Sequence, residues 1–267
     1  SVLFLKYPSP QSDKDKRHIY RIKLLELALQ KTSIEYGEFK IEYSTEKMSQ
    51  SRAIVMIKNN SGIDLIALPA SKQREEELLP VRIPVLKGLL GYRIFIIRSE
   101  DRNRFSRIKS FKELKEFSAG SGHDWLDSEI LTHNGVNVVK SSNYEGLFMM
   151  LRTSRFDYFP RGVNEAFDEI ESRRSNFKDI EVEKSLALYY PFPVYFFVRK
   201  NNVELAARIE KGLRLSIADG SFQRLFNRYN GEYIKKAAIN KRKIIKLSNP
   251  LLPDETPFKE KELWLNW

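Results

Sequence analysis

Two stretches of this chain share one grammar, and that internal echo constrains the fold more than any other feature of the sequence. In the run Arg52 to Ala67 and again in Tyr144 to Gly162, an apolar helical segment ends in small polar residues. A basic residue or glycine follows, then an apolar residue, an aspartate, and two residues of buried-strand type. Aligning Asp157 on Asp64, 93 positions earlier, also pairs Leu147 with Ile54, Met150 with Ile57 and Phe156 with Ile63. A helix that feeds its chain through a short polar turn into a buried strand is an αβ unit. Two such units predict two similar α/β lobes, each a mostly parallel sheet flanked by helices, with a solute held in the groove between them.

Composition narrows the function classes. At 267 residues the chain is long enough for two modest domains. The hydrophobic fraction of 42% is that of a soluble globular protein, and no apolar run nears the roughly 18 residues of a membrane span. Cysteine is absent, which excludes disulfides and thiolate metal sites. His18, His123 and His133 are too scattered for a zinc cluster, and the glycine-rich phosphate-binding and dinucleotide-binding patterns are missing, so neither a metal nor a cofactor is expected. The net charge of +11 is mostly interleaved with acids. Its densest part, Lys235, Lys236, Lys241, Arg242, Lys243 and Lys246, reads as a solvated helix face or edge, so nucleic acid is not an expected partner.

Along the chain, Ser1 to Tyr7 reads as a strand without a basic leader, so an exported protein would have lost its signal peptide. Arg17 to Lys31 has helical spacing, Glu38 to Tyr43 reads as a strand, and Ser44 to Lys47 as a polar link with cap candidates for the helix Gln50 to Lys58. Glu75 to Glu77 read as solvated. The two strongest strands, Gly91 to Arg98 and Pro193 to Arg199, are placed as crossings between lobes. This gives lobe I as residues 1–92 with 197–267 and lobe II as residues 93–196. Ser118 to Trp125 reads as a glycine-rich turn opening a helix, and Glu165, Asp168, Glu169 and Glu171 as the wet face of another. Leu205, Ile209, Leu213 and Ile217 keep helical spacing before Gly220. The tail, with Phe258, Trp264 and Trp267, reads as an arm that packs back on a lobe.

Gly62-Ile63-Asp64-Leu65, Arg155-Phe156-Asp157-Tyr158 and the closing run Ala218 to Tyr229 follow one another in an order that resembles the extracellular solute-binding proteins of bacterial transporters, in the family that includes the polar amino-acid binders. The likeness covers most of residues 1 to 230. It implies a periplasmic receptor with two hinge strands, acting as a monomer without membrane insertion, that binds a small solute and hands it to an ABC transporter permease. Arg74 falls where the family carries an arginine that forks onto the ligand's carboxylate, a match of planar donors to planar acceptors. A surface arginine pairing Glu75 or Glu77 along its helix is the alternative. Gly120-Ser121-Gly122 matches the family's glycine-rich turn, where backbone N–H groups favour an anion; an ordinary turn and cap is the alternative.

The sequence departs from the amino-acid binders in two places. Pro160-Arg161-Gly162 stands where an aspartate would neutralise the ligand's ammonium, and Lys23-Leu24-Leu25-Glu26 replaces an acidic signature. A basic residue cannot serve an ammonium, so the expected solute is anionic or carboxylate-bearing, with Arg161 adding a second charge. Tyr7, Tyr92 and Trp125 complete the candidate site as aromatic faces that exclude water, each with core packing as its alternative. No catalytic residue is expected. The rival readings are a ligand-sensing module of a signalling system, an enzyme on the same scaffold using Glu145 or Asp124, and a basic nucleic-acid binder whose affinity would fall steeply with salt.

Overall fold

The first 87 residues lay down β1 (Leu3–Ser9), α1 (Ile19–Lys31), the short α2 (Ser33–Tyr36), β2 (Phe39–Lys47), α3 (Gln50–Lys58), β3 (Leu65–Pro69), α4 (Lys72–Glu77) and β4 (Leu79–Val81). Residues 88–192 then give β5 (Tyr92–Arg98), α5 (Arg102–Ser106), α6 (Phe111–Leu114), β6 (Ser118–Gly122), α7 (Leu126–His133), β7 (Asn137–Ser141), α8 (Tyr144–Arg152), β8 (Tyr158–Gly162), α9 (Val163–Glu171), β9 (Ile180–Val182) and β10 (Leu186–Tyr189). The remainder supplies β11 (Val194–Val198), α10 (Val203–Ala218), α11 (Ser221–Ala237) and β12 (Lys243–Lys246). The computed structural model describes residues 1–266; Trp267, part of the predicted aromatic tail, lies outside the described residues.

The chain divides into two compact units. One holds residues 1–87, 193–231 and 251–266, the other residues 88–192 and 232–250. Residues 232–250, grouped with the first lobe on sequence grounds, pack in the second unit because β12 pairs in parallel with β10, Leu186 to Tyr189 facing Lys243 to Lys246. Leu247 N–H extends that pairing to the Tyr189 carbonyl.

In the first unit β1 and β2 pair in parallel, and β11 lies antiparallel between β3 and β4. β3 and β11 are buried along their whole lengths, as their unbroken apolar runs require. The second unit carries a sheet in the order β12-β10-β5-β8-β6-β7, with β9 also on β5. Its β6/β7, β6/β8 and β10/β12 pairs are parallel, and the antiparallel pairs all involve β5.

The sequence echo has a structural counterpart. Asp64 accepts from Lys6 N–H at 2.7 Å while its own N–H donates to the Lys6 carbonyl at 2.9 Å. Asp157 does the same to Ser118, accepting at 2.8 Å and donating at 2.9 Å. In each unit the aspartate satisfies both backbone groups of one residue on the neighbouring strand, at the point where the helix-to-strand turn meets the sheet.

Several boundaries differ from expectation. β2 runs on through Ser44 to Lys47, and the cap of α3 is Ser49, whose hydroxyl accepts from Arg52 N–H. Glu75 is buried rather than solvated, because Arg82 Nε reaches its Oε1 at 2.6 Å. Ser118 to Gly122 is a strand, not a turn: it sits between β7 and β8, and glycine is needed there for clearance. A Cβ on Gly120 would fall 2.2 Å from the Phe156 ring, and one on Gly122 2.3 Å from the Trp125 ring.

Candidate functional site

Four of the sequence candidates meet in the second unit. β6 brings Ser121 and Gly122 to the start of α7, where Trp125 folds back over Gly122. The adjoining strand β8 ends in Arg161 and Gly162. The indole lies parallel to the Phe159 ring, with planes 9° apart, and the Arg161 guanidinium carbon stands 4.7 Å from the indole centre. Cation–π contact with a buried indole favours the charged guanidinium and fixes its plane.

That charge is already matched. Arg161 donates from Nε to Glu169 Oε1 and from Nη2 to Glu169 Oε2, both at 2.8 Å, and Nη2 lies 3.2 Å from Glu165 Oε2. Burial alone would make the guanidinium easier to deprotonate, but Glu165 and Glu169 outweigh it and push its pKa well above the ordinary arginine value. The spacing explains the geometry. Glu165 and Glu169 are four apart on α9, so both lie on one helix face, and the chain entering α9 from β8 turns that face back onto Arg161. Both acids are therefore buried, which corrects the expectation that they form a wet face; Glu171, on the other side, is exposed and pairs Arg174.

The network extends further with residues that the sequence reading did not nominate. Tyr144, at the start of α8, donates its hydroxyl to Glu169 Oε2. Arg173, fully buried, donates to the Glu169 carbonyl at 2.9 Å and, from Nε and Nη2, to both oxygens of Glu145 at 2.9 and 2.5 Å. On β5, Arg93 Nη2 stands 2.8 Å from Asp127 Oδ2, which also accepts from the Tyr190 hydroxyl, and Arg93 Nη1 lies 3.5 Å from Glu165. The usable signal was the spacing of Arg161, Glu165 and Glu169 at i, i+4 and i+8; the Arg93, Asp127 and Tyr190 contacts join a strand, a helix and a loop far apart in sequence and left none.

Chemically this is an electrostatically closed assembly. Each carboxylate named above lies within ion-pair distance of a guanidinium. Glu145, a candidate base on sequence grounds, is spoken for by Arg173. Ser121 is buried and its hydroxyl accepts from Ser128 at 2.9 Å.

The other candidates lie elsewhere. Tyr92 rests against Tyr189 with ring centres 4.5 Å apart. In the first unit, Tyr7 is buried and its hydroxyl accepts from Ala67 N–H at 3.0 Å, tying β1 to β3; burial pushes its pKa up. Arg74 is buried in the first turns of α4, a helix capped by the Ser71 hydroxyl. Its Nη1 donates to the Pro69 carbonyl at 2.9 Å and its Nη2 to Gln50 Oε1 at 3.0 Å, both neutral oxygens. The neighbouring acids take other cations, Glu75 with Arg82 and Glu77 with Lys58. Among the described residues no group of three or more His, Asp or Glu could hold a metal ion, and no helix is long and apolar enough to cross a membrane.

A scan against models of known protein families finds no match, and no curated protein is similar in sequence. Solved structures are similar in fold. An ancestral arginine-binding protein bound to glutamine aligns at a TM-score of 0.62 and 18% identity, over 86% of this chain and 98% of that one. The chain has the fold of the periplasmic binding proteins. A Salmonella typhimurium periplasmic binding protein of high arginine specificity aligns over 85% of this chain and 99% of its own at a TM-score of 0.61 and 15% identity. A histidine kinase sensor domain with similarity to periplasmic binding proteins covers 86% and 96% at the same score and identity. Of these neighbours, the two arginine-binding proteins are binding proteins rather than enzymes.

Proposed function

We propose that this chain is an extracytoplasmic receptor that captures a small carboxylate-bearing solute, an amino acid or an organic acid, and delivers it to an ABC transporter. The observation that carries the reading is Arg74. It is buried, it occupies the first turns of a capped helix, and hydrogen bonds to the Pro69 carbonyl and to Gln50 Oε1 fix the plane of its guanidinium. A planar guanidinium oriented by its neighbours suits a carboxylate in two parallel hydrogen bonds.

In this reading Arg74 contacts the solute directly. Arg161 acts as a positioning residue: held by Glu165 and Glu169, it sets the plane of Trp125 and supplies no second charge of its own. The receptor works as a monomer, and solute binding is accompanied by hinge closure.

The test is a thermal-shift panel of amino acids, dicarboxylates, phosphates, sugar acids and neutral sugars. A specific solute at a hundred times its dissociation constant should add about 2.7 kcal/mol of stability. A carboxylate-bearing hit is expected, and Arg74→Lys should weaken it about tenfold or more, since an ammonium cannot reproduce the paired donors. A response to neutral sugars alone, or chemical turnover of the hit, would overturn the reading. The likeness to a histidine kinase sensor domain favours one second reading, in which the solute-loaded form signals rather than delivers. Capture of a permease or of a kinase from crosslinked membranes by the solute-loaded protein separates the two.

A further inference from the structure

The second unit contains a groove that takes no part in the network around Arg161. It has a volume of about 570 Å³, within the range of small-molecule sites, and runs between α9, β9 and the end of α11. Its floor is apolar: Phe167, Ile170, Ile180, Val182 and Ala237 line it, all buried or half-buried, so the apolar surface is recessed rather than protruding.

The rim is strongly basic. Arg102, Arg174, Lys184, Lys236, Lys241 and Arg242 line the groove against only two acids. Both acids are occupied, Glu181 by Arg102 in two hydrogen bonds of 2.9 and 2.6 Å and Glu171 by Arg174 at 2.9 Å. Lys236 stands 4.9 Å from the Phe167 ring centre, while the exposed side chains of Lys184 and Lys241 make no hydrogen bond or ion pair with a described residue, Lys184 acting on Glu181 only through its charge. The wall carrying Lys241 is built with strain. Ala238 has φ +47, a left-handed conformation that alanine rarely adopts, and it reverses the chain after α11. Arg242 then locks the reversal, donating to the carbonyls of Ala237, Glu183 and Leu186 at 2.7, 2.6 and 2.9 Å. Strained backbone held by a dedicated clip beside a cavity is where ligand clamps are found.

We propose that this groove is a second binding site, independent of the receptor reading, for a small amphiphilic anion whose apolar body lies on Phe167 and Ile170 and whose carboxylate or sulfonate is met by Lys184 and Lys241. Desolvated apolar contact supplies affinity, and the unpaired lysines select charge.

The full-length protein is titrated with 1-anilinonaphthalene-8-sulfonate, which joins an apolar body to one anionic group, and then challenged with decanoate or decanol. Saturable fluorescence enhancement is expected, with decanoate displacing the probe and decanol at least tenfold less effective. The double variant Lys184→Glu with Lys241→Glu changes two exposed side chains and is expected to keep its circular dichroism spectrum and lose probe affinity at least tenfold. Phe167→Ser should weaken probe and decanoate together. Absence of saturable probe binding, equal displacement by decanol, or unchanged affinity in a folded double charge-reversal variant would each overturn the proposal.

Discussion

Arg74, nominated for the solute's carboxylate, and Arg161, nominated to add a second charge, are both buried arginines set among different neighbours by the fold. Removing the partner of a buried charge is far costlier than removing a surface pair. Glu169→Gln keeps the volume but trades one accepting oxygen for an NH2 group and removes the negative charge that Arg161 and the Tyr144 hydroxyl share, and should cost about 3–5 kcal/mol in urea unfolding. Asp15 gives a pH-dependent test. Burial alone would raise its carboxyl pKa, but hydrogen bonds from Arg17 Nε and Nη2, both 2.8 Å, and from the Gln11 and Arg17 backbone hold it well below the usual carboxylate range. A depressed folded pKa means stability that is present above the unfolded value near 4 and lost as pH falls through the folded value. Asp15→Asn should therefore be destabilised by about 1–3 kcal/mol at pH 7. The gap from wild type should narrow below about pH 4, read by denaturant midpoints across pH. At this scale the sequence was legible where one residue recurs at a matching place in both units. Asp64 and Asp157 were picked out by their place in a repeated phrase, and both fasten a strand. It was illegible where the partner arrives from an element far off in sequence, as Asp127 does for Arg93 or Ala67 for Tyr7.

Elements were read best when a single period dominated. The apolar runs of β5 and β11 and the helical spacing of α8 and α10 lie within a residue or two of the predicted bounds. β6 was misread because glycine signals a turn when only the chain is visible, whereas here it makes room for the Phe156 and Trp125 rings. Gly212 is the same lesson on a helix. A Cβ there would stand 2.0 Å from the Ala28 carbonyl oxygen, so α10 touches α1 backbone to backbone. Gly212→Ala should lower stability by about 1–3 kcal/mol despite alanine's better helix propensity, seen as a fall in melting temperature. The segment after α11 was read as an extended arm because its charges hide a four-residue strand; Lys243 and Lys246 are exposed while Ile245 is buried against the unit. Arg242→Ala removes the donor shared by three carbonyls and should destabilise by about 2–3 kcal/mol, read by chemical denaturation.

For the whole molecule, the arrangement of segments matters more than any one contact. Each unit is assembled from pieces far apart in sequence: the first takes residues 193–231 and 251–266, and the second takes 232–250. A chain ended after Gly231 would lose β12 and Arg242 and leave β10 with an open edge, and it should be recovered mainly as aggregate, measured by soluble yield and sedimentation. The basic excess of the chain, +11, sits on both units and is no predictor of where a ligand binds; the rim of the groove, with two lysines left unpaired, is informative. The pairing of β10 with β12 carries one more consequence. Tyr189 leaves the ribosome 57 residues before Lys246. At about 5–20 residues per second, that edge waits roughly 3–11 seconds for its neighbour. The sheet of the second unit thus cannot be completed from its own early segments, and its β10 edge stays open until Lys246 has emerged.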